Sequence, residues 1–532
     1  MALTPRFPHF LHGGDYNPDQ WLDDPAILDE DPLLMQKAHV NTVSLGIFSW
    51  ARLEPEEGMY DFAWMDAVMD RMEKAGIHVF LATPSGARPA WLAQKYPEVL
   101  RVNDRFERMH FGGRHNHCPS SPVFREKVAS LDRSLALRYA SRPNVIGWHI
   151  SNEFSGDCRC PLCQDRFRTW LKEKYGSLDQ LNRAWYTDFW SMRYTDWTQI
   201  EPPSPSGQMS NLSLLLDWRR FSTFQCKDWI EMEKAAVKSA DPSLPCTTNL
   251  MERFWDYDYF SLSEALDFVS WDSYPPWTGG DDEAVACEFA MNHDMMRSFK
   301  QQPFVLMEST PSNVNWKEVN KLKRPGMHLL SSMQAVAHGS QSVMYFQWRQ
   351  GRGNVEMFHG AVVSHNGRSD TRVFLDVTEV GKTLECMERL DPTLYDTPPG
   401  RAPVCILYDW DSRWAVEYAQ TGLMGRMDYH GTVMDHYHAF WRRGIGVDFR
   451  DLREQTDLSG YRLVIAPQLF LFRNRIEEKL RDYVASGGTL VMTYFSGIVD
   501  ETCQAFLSDA PHGLTDVFGM RETEMDALYP AN

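Results

Sequence analysis

The feature that most constrains this chain is a repeat of short apolar runs, each followed by a longer amphipathic stretch. It recurs through about residue 390 of 532. Eight runs are rich in β-formers: Phe10–Tyr16, Val40–Ile47, Ile77–Pro84, Val145–Glu153, Leu244–Met251, Leu266–Tyr274, Pro303–Thr310 and Ser342–Arg349. Between them lie stretches with helical periodicity and charged faces, such as Trp64–Ala75, Phe124–Ala140, Leu215–Ala240 and Met327–His338. Strand and helix in strict alternation make βα units and a parallel sheet. Within an α/β fold, eight such units match a closed (β/α)8 barrel, a TIM barrel, better than an open doubly wound sheet, although periodicity alone does not decide closure.

The barrel is expected over residues 1–390, with its longest insertion running from Ser155 to about Asn211 after the fourth strand. The Pro-rich segment 391–403 (DPTLYDTPPGRAP) reads as a linker. Beyond it the sequence predicts strands at Val404–Tyr408, Tyr461–Pro467 and Thr489–Tyr494, with helices at Met434–Arg443 and Ile476–Ser486. These form a smaller α/β unit over 404–532. No coiled-coil heptads or low-complexity tracts interrupt either part.

With 43% hydrophobic and 24% charged residues the chain can bury a large core. Its net charge of -18 argues against nucleic acid or an anionic membrane as partner, because an acidic surface repels phosphate. No apolar run approaches the roughly 18 residues of a membrane span, and the start MALTPRFPHF lacks the pattern of a signal peptide. A cytoplasmic location is expected. Most of the ten cysteines stand alone in sequence, the pattern of reduced thiols rather than a disulfide framework.

A barrel of this kind builds its active site where its strands end at the C-terminal face, so polar residues that stop an apolar strand are the first candidates. Strand four ends Trp148-His149-Ile150-Ser151-Asn152-Glu153, and strand seven ends Phe304-Val305-Leu306-Met307-Glu308. A charge placed after an apolar run is costly unless it is paired or used. Two carboxyl groups facing each other across a barrel mouth are the apparatus of glycoside hydrolysis, one protonating the leaving oxygen and the other attacking or activating water. The alternative for either glutamate alone is a helix cap or a structural ion pair.

Asn-Glu at the end of strand four, with a glutamate ending strand seven, is the pattern of the (β/α)8 glycosidases. More narrowly, the chain resembles the glycoside hydrolase family 42 β-galactosidases over essentially its whole length. The matching stretches are His12-Gly13-Gly14-Asp15-Tyr16-Asn17-Pro18-Asp19-Gln20-Trp21, Phe48-Ser49-Trp50 with Leu53-Glu54-Pro55, and Thr83-Pro84-Ser85. Arg114 before Cys118-Pro119, Asn152-Glu153, Phe189-Trp190-Ser191 and Met307-Glu308 complete the series.

The resemblance implies a retaining enzyme that cleaves terminal non-reducing β-D-galactosides by double displacement through a covalent galactosyl-enzyme. Glu153 would be the acid/base and Glu308 the nucleophile. Glu153 would keep its proton because an ionised partner raises its pKa. Arg114 and Asn152 would bond sugar hydroxyls, and Glu356 with His359 would grip the O3, O4 and O6 region, rejecting an epimer by leaving buried polar groups unpaired. For that pair a surface salt bridge is the alternative. Tyr274, ending strand six, would point its hydroxyl at the nucleophile. Trp190 and Trp316 would offer flat faces to the pyranose, although core packing is the commoner use of an aromatic.

Cys158, Cys160 and Cys163 fall within six residues just past Glu153. Their thiols can converge on one ion, and Cys118 would complete a closed four-cysteine structural zinc site. Free thiols are the alternative, and the resemblance favours zinc. It also implies that the smaller unit has the glutamine-amidotransferase-like fold through which the family forms homotrimers. Pro467-Gln468-Leu469-Phe470 offers no nucleophilic cysteine for amidotransferase chemistry, so that unit is expected to be an interaction module. Because the family continues beyond the residues matching Met520-Arg521-Glu522-Thr523, the unit is expected to be incomplete here. The rival readings are an α-L-arabinopyranosidase of the same family and a non-catalytic sugar-binding or assembly protein.

Overall fold

The computed structural model of the chain describes residues 2–252, 254–277, 281–396, 400–419, 427–527 and 529. Within them the chain forms a (β/α)8 barrel followed by a smaller α/β unit. The barrel strands are β1 (Leu11–Tyr16), β2 (Thr42–Leu45), β3 (His78–Thr83), β4 (Val145–Ile150), β5, β6 (Ser270–Ser273), β7 (Val305–Ser309) and β8 (Ser342–Tyr345). The fifth strand is split into Cys246–Thr247, which pairs with β4, and Asn249–Met251, which pairs with β6. All pairings are parallel. Closure between β7 and β8 comes from a Phe304–Ser340 bridge and from side chains. Ser342 Oγ donates to the Leu306 carbonyl at 3.0 Å and Ser309 Oγ to that of Met344 at 2.9 Å.

Two features of the sequence set this closure. Gly14 on β1 lies so close to β8 that a Cβ would sit 2.2 Å from the Tyr345 carbonyl oxygen, so a side chain there would force the strands apart. The barrel floor is filled by Leu11, Phe80, Ile146, Phe268, Val305, Met307 and Met344. Truncating one of these, Phe80→Ala for instance, would cost about 3–5 kcal/mol through lost burial and a residual cavity. Helices form where the sequence supplies caps: Ser121 accepts from Phe124 N at the head of Pro122–Tyr139, and Asn211 accepts from Leu214 N at the head of Leu212–Lys238.

The second unit is a four-stranded parallel sheet among the described residues. Its strands, β9 (Val404–Leu407), β10 (Val447–Arg450), β11 (Leu463–Ala466) and β12 (Thr489–Met492), lie in the order β10-β9-β11-β12. β10 and the helix Trp410–Ala419 are additions to the sequence reading. Of the expected linker, residues 397–399 lie outside the described residues. The unit docks on the barrel through Trp410 and Trp414, whose indole N–H groups donate to the carbonyls of Phe254 and Trp255 at 3.1 and 2.6 Å. Arg220–Asp411 and Arg297–Asp448 ion pairs cross the same boundary at 2.8 and 2.6 Å. No helix among the described residues is long and apolar enough to cross a membrane.

Candidate active site

Above the apolar floor the barrel interior turns polar, and the change is made by single residues of β4 and β5. His149 accepts from Ser44 Oγ at 2.7 Å and donates through Nε2 to Asn249 Oδ1 at 2.9 Å, kept neutral by burial that lowers its pKa to about 4. Asn249 is the hub of the next layer. Its Oδ1 also accepts the Glu153 backbone N–H at 3.0 Å, and its Nδ2 faces Asn152 Oδ1, Asp272 Oδ2 and Glu308 Oε1 at 2.9, 2.7 and 3.0 Å.

The chain therefore brings Glu153 and Glu308 together. Glu308 lies inside β7, buried at 5% exposure, while Glu153 sits in the turn after β4 with φ 40, following Ser151 at φ 51. Glu153, Asp272 and Glu308 each present a carboxylate oxygen within 4.8 Å of the others. That spacing matches the roughly 5–5.5 Å of a retaining pair and falls short of the ~6.5–9.5 Å that inversion needs for an intervening water. Arg114 donates to Glu153 Oε2 at 2.8 Å, and Tyr274 O–H donates to Glu308 Oε2 at 2.5 Å.

In the structure Glu308 is pushed up to about 8, first by burial and then by the charge of Glu153, against the lowering effects of the Tyr274 hydrogen bond and Arg114. The cause is position: the strand interior removes Glu308 from water. Asp15 and Asp272 are raised well above the carboxylate range, by burial first and then by the charges of Glu308 and Glu153. Each has a buried oxygen without a hydrogen-bond partner.

The carboxylates open into a cavity of about 580 Å³ lined by Arg114, Glu153, Asp272, Tyr274, Trp316 and Glu356. Trp316 stacks on His359 with ring centroids 5.1 Å apart, and Tyr274 meets Trp316 edge-on at 4.9 Å. His359 is buried, and burial lowers its pKa to about 4. Its Nδ1–H donates to the Gly360 carbonyl at 2.9 Å, which leaves Nε2 as a lone-pair acceptor, buried and without a partner.

Trp190 is not brought to this cavity. It lies in the short turn Phe189–Ser191 of the insertion, 73% exposed and stacked on Phe189. Asp15, Asn249, Asp272, Met251 and Phe346 belong to the site and were not singled out from the sequence, although Asp15 lies in a quoted motif. From the second unit, Arg413 and His430 line the same cavity, so the unit read as an interaction module also walls the mouth. A larger cleft of about 860 Å³, at the opposite rim of the barrel near Phe10, Tyr395 and Trp441, has no converging carboxylates and is not assigned the chemistry.

Beside the site, Cys118, Cys158, Cys160 and Cys163 are all buried, with sulfurs within 4.8 Å of one another. Cys118 Sγ is 3.3 Å from that of Cys160 and 3.6 Å from that of Cys163. A tetrahedral ion with metal–sulfur bonds of about 2.3 Å requires sulfur–sulfur edges of roughly 3.8 Å. The Val102 N–H points at Cys158 Sγ at 3.4 Å, a donor that supports a thiolate. This buried cluster can hold a metal ion.

The chain matches the β-galactosidase model of glycoside hydrolase family 42 over residues 15–387 and the β-galactosidase trimerisation domain model over residues 402–532. It is 52% identical to β-galactosidase BglY of Alicyclobacillus acidocaldarius over 532 residues, 99% of this chain and 76% of that protein. The crystal structure of a cold-adapted β-galactosidase from Rahnella sp. R3 superposes with a TM-score of 0.97 at 52% identity, covering 100% of this chain and 78% of that one. The β-galactosidase of the haloarchaeon Halorubrum lacusprofundi gives 0.88 at 31% identity, covering 95% and 76%.

Proposed function

Because the chain belongs to the glycoside hydrolase family 42 β-galactosidases and is a retaining hydrolase of β-D-galactosides, we propose that Glu308 is its nucleophile and Glu153 its acid/base. The observation that carries this assignment is the approach of the two carboxylates within 4.8 Å at the ends of β4 and β7. Glu308 attacks the anomeric carbon as Glu153 protonates the departing oxygen, and Glu153 then deprotonates the water that releases galactose. Glu308 suits attack because Tyr274 and Asn249 each donate to one of its oxygens, holding it in place. Glu153 suits proton transfer because its side chain is 12% exposed, at the wall the aglycone must pass.

Arg114, Asn152, Tyr274, Trp316, Glu356 and His359 bind the sugar in this reading. Trp316 supplies the apolar face, and the unpartnered Nε2 of His359 accepts a galactose hydroxyl. The four cysteines hold a structural zinc that ties the loop after β4 to the segment carrying Cys118. The chain divides in this reading into a barrel over 1–390, a linker over 391–403 and an α/β unit over 404–532, supported by family models that match residues 15–387 and 402–532. The trimerisation model supports a homotrimer, and the ten unbridged cysteines support a reducing compartment, the cytoplasm.

Azide separates the two roles. Glu308→Gly should lose turnover and regain it with azide as the α-galactosyl azide, whereas Glu153→Ala should give the β-azide. Wild-type-like activity in either variant without azide would refute the assignment.

A further inference from the structure

Beneath the turn that carries Glu153 lies a buried carboxylate that the reaction does not touch. Glu233, on the helix Leu212–Lys238, is fully buried and accepts three hydrogen bonds. They come from Thr83 Oγ1, from Ser85 Oγ at 2.6 Å and from the indole N–H of Trp229. The three donors favour its ionised form against burial, which pushes its pKa up to about 7. Asp132, whose oxygens have no hydrogen-bond partner, is raised well above the carboxylate range by burial and by the charge of Glu233.

Thr83 ends β3. Its hydroxyl gives its single proton to Glu233, and a lone pair is left to accept the Ser151 N–H at 2.7 Å. Ser151 opens the turn in which it and Glu153 both adopt positive φ. Non-glycine residues in that region are strained and persist only where their surroundings hold them. Two backbone anchors hold this turn: the Glu153 N–H to Asn249 and the Ser151 N–H to Thr83. The first belongs to the site. The second is set by Glu233.

We propose that Glu233 is a positioning residue for the acid/base step: its acceptor-only carboxylate orients the Thr83 hydroxyl, which holds the Ser151 N–H and so aims Glu153 at the leaving-group oxygen. An amide in its place could donate to Thr83, leaving the hydroxyl proton free to turn away and the lone pair facing Ser151 no longer fixed in direction. A merely structural Glu233 would tie its helix to β3 and affect every substrate alike. The inference rests on Glu153 being the acid/base.

The test is kcat/KM, which reports galactosylation alone, for phenyl, 4-nitrophenyl and 2,4-dinitrophenyl β-galactosides. Dinitrophenolate departs without a proton, and phenolate needs one. Glu233→Gln and Thr83→Val should lose about 10²-fold on the phenyl galactoside, the scale of a 1 Å misplacement, and only a few-fold on the dinitrophenyl galactoside. Ser85→Ala removes a donor from Glu233 without cutting the path to Ser151, and should cost the same small factor on all three. If Glu233→Gln does not fold, Thr83→Val decides alone. Equal losses across aglycones in the variants that fold, with a leaving-group dependence in Glu153→Ala, would overturn the role of Glu233 and leave the acid/base in place. No leaving-group dependence in Glu153→Ala would overturn the acid/base assignment and this inference with it.

Discussion

Asn249→Ala tests how far the two glutamates depend on one side chain. The substitution removes the donor to Glu308 Oε1 and the acceptor of the Glu153 N–H. A hydrogen bond to a charged group contributes about 1.5–3 kcal/mol, and one pKa unit is about 1.36 kcal/mol. Ionised Glu308 should thus be harder to form by about 1–2 units. The sign follows directly: the lost donor stabilised the carboxylate, so its pKa rises and the acid limb of kcat/KM moves to higher pH. At a fixed pH on that limb the shift lowers kcat/KM roughly 10–100-fold, at about 1.4 kcal/mol per tenfold. The orphaned Glu153 N–H adds a pH-independent loss as the turn relaxes, about tenfold or more. The assay is kcat/KM against pH with 4-nitrophenyl β-galactoside, beside a thermal melt to show a folded protein. A folded variant whose limb stays in place would refute the argument that Asn249 supports the Glu308 charge, and one with unchanged kcat/KM would refute both parts.

Tyr274→Phe deletes the hydroxyl that lowers the Glu308 pKa, so its acid limb should also move up, and a downward shift would contradict the assignment. His359→Leu should cost about 1–3 kcal/mol in kcat/KM, roughly 5–150-fold. In a panel of deoxy-galactosides the loss should vanish for the sugar lacking the hydroxyl that Nε2 accepts. Purified enzyme should contain one zinc per chain by elemental analysis. Cys160→Ser or prolonged chelation should remove it and lower both Tm and activity, because the loop after β4 loses its tie.

The strands and the meeting of Glu153 with Glu308 were legible because both rest on local pattern: apolar runs of strand length, two of which run into a glutamate. Cys158, Cys160 and Cys163 were legible for the same reason, being close in sequence. Asn249 was not, since Thr247-Thr248-Asn249 breaks the apolar run and marks the strand's interruption rather than a site. The contribution of Arg413 and His430 depends on Trp410 and Trp414 docking to carbonyls more than 150 residues away, for which no local signal exists. Trp190 was carried across an insertion whose path decides where the indole ends, and that path takes it to an exposed turn. The raised pKa of Glu308 is a matter of burial, which follows from the closed barrel and not from any motif.

The central claim is that Glu308 forms the covalent galactosyl-enzyme. A 2-deoxy-2-fluoro-galactoside with a good leaving group slows the second displacement and traps that intermediate for peptide mapping by mass spectrometry. The account predicts a single fluorogalactosyl adduct on Glu308, formed as activity is lost. An adduct on Glu153, Asp272 or Asp15 would contradict it.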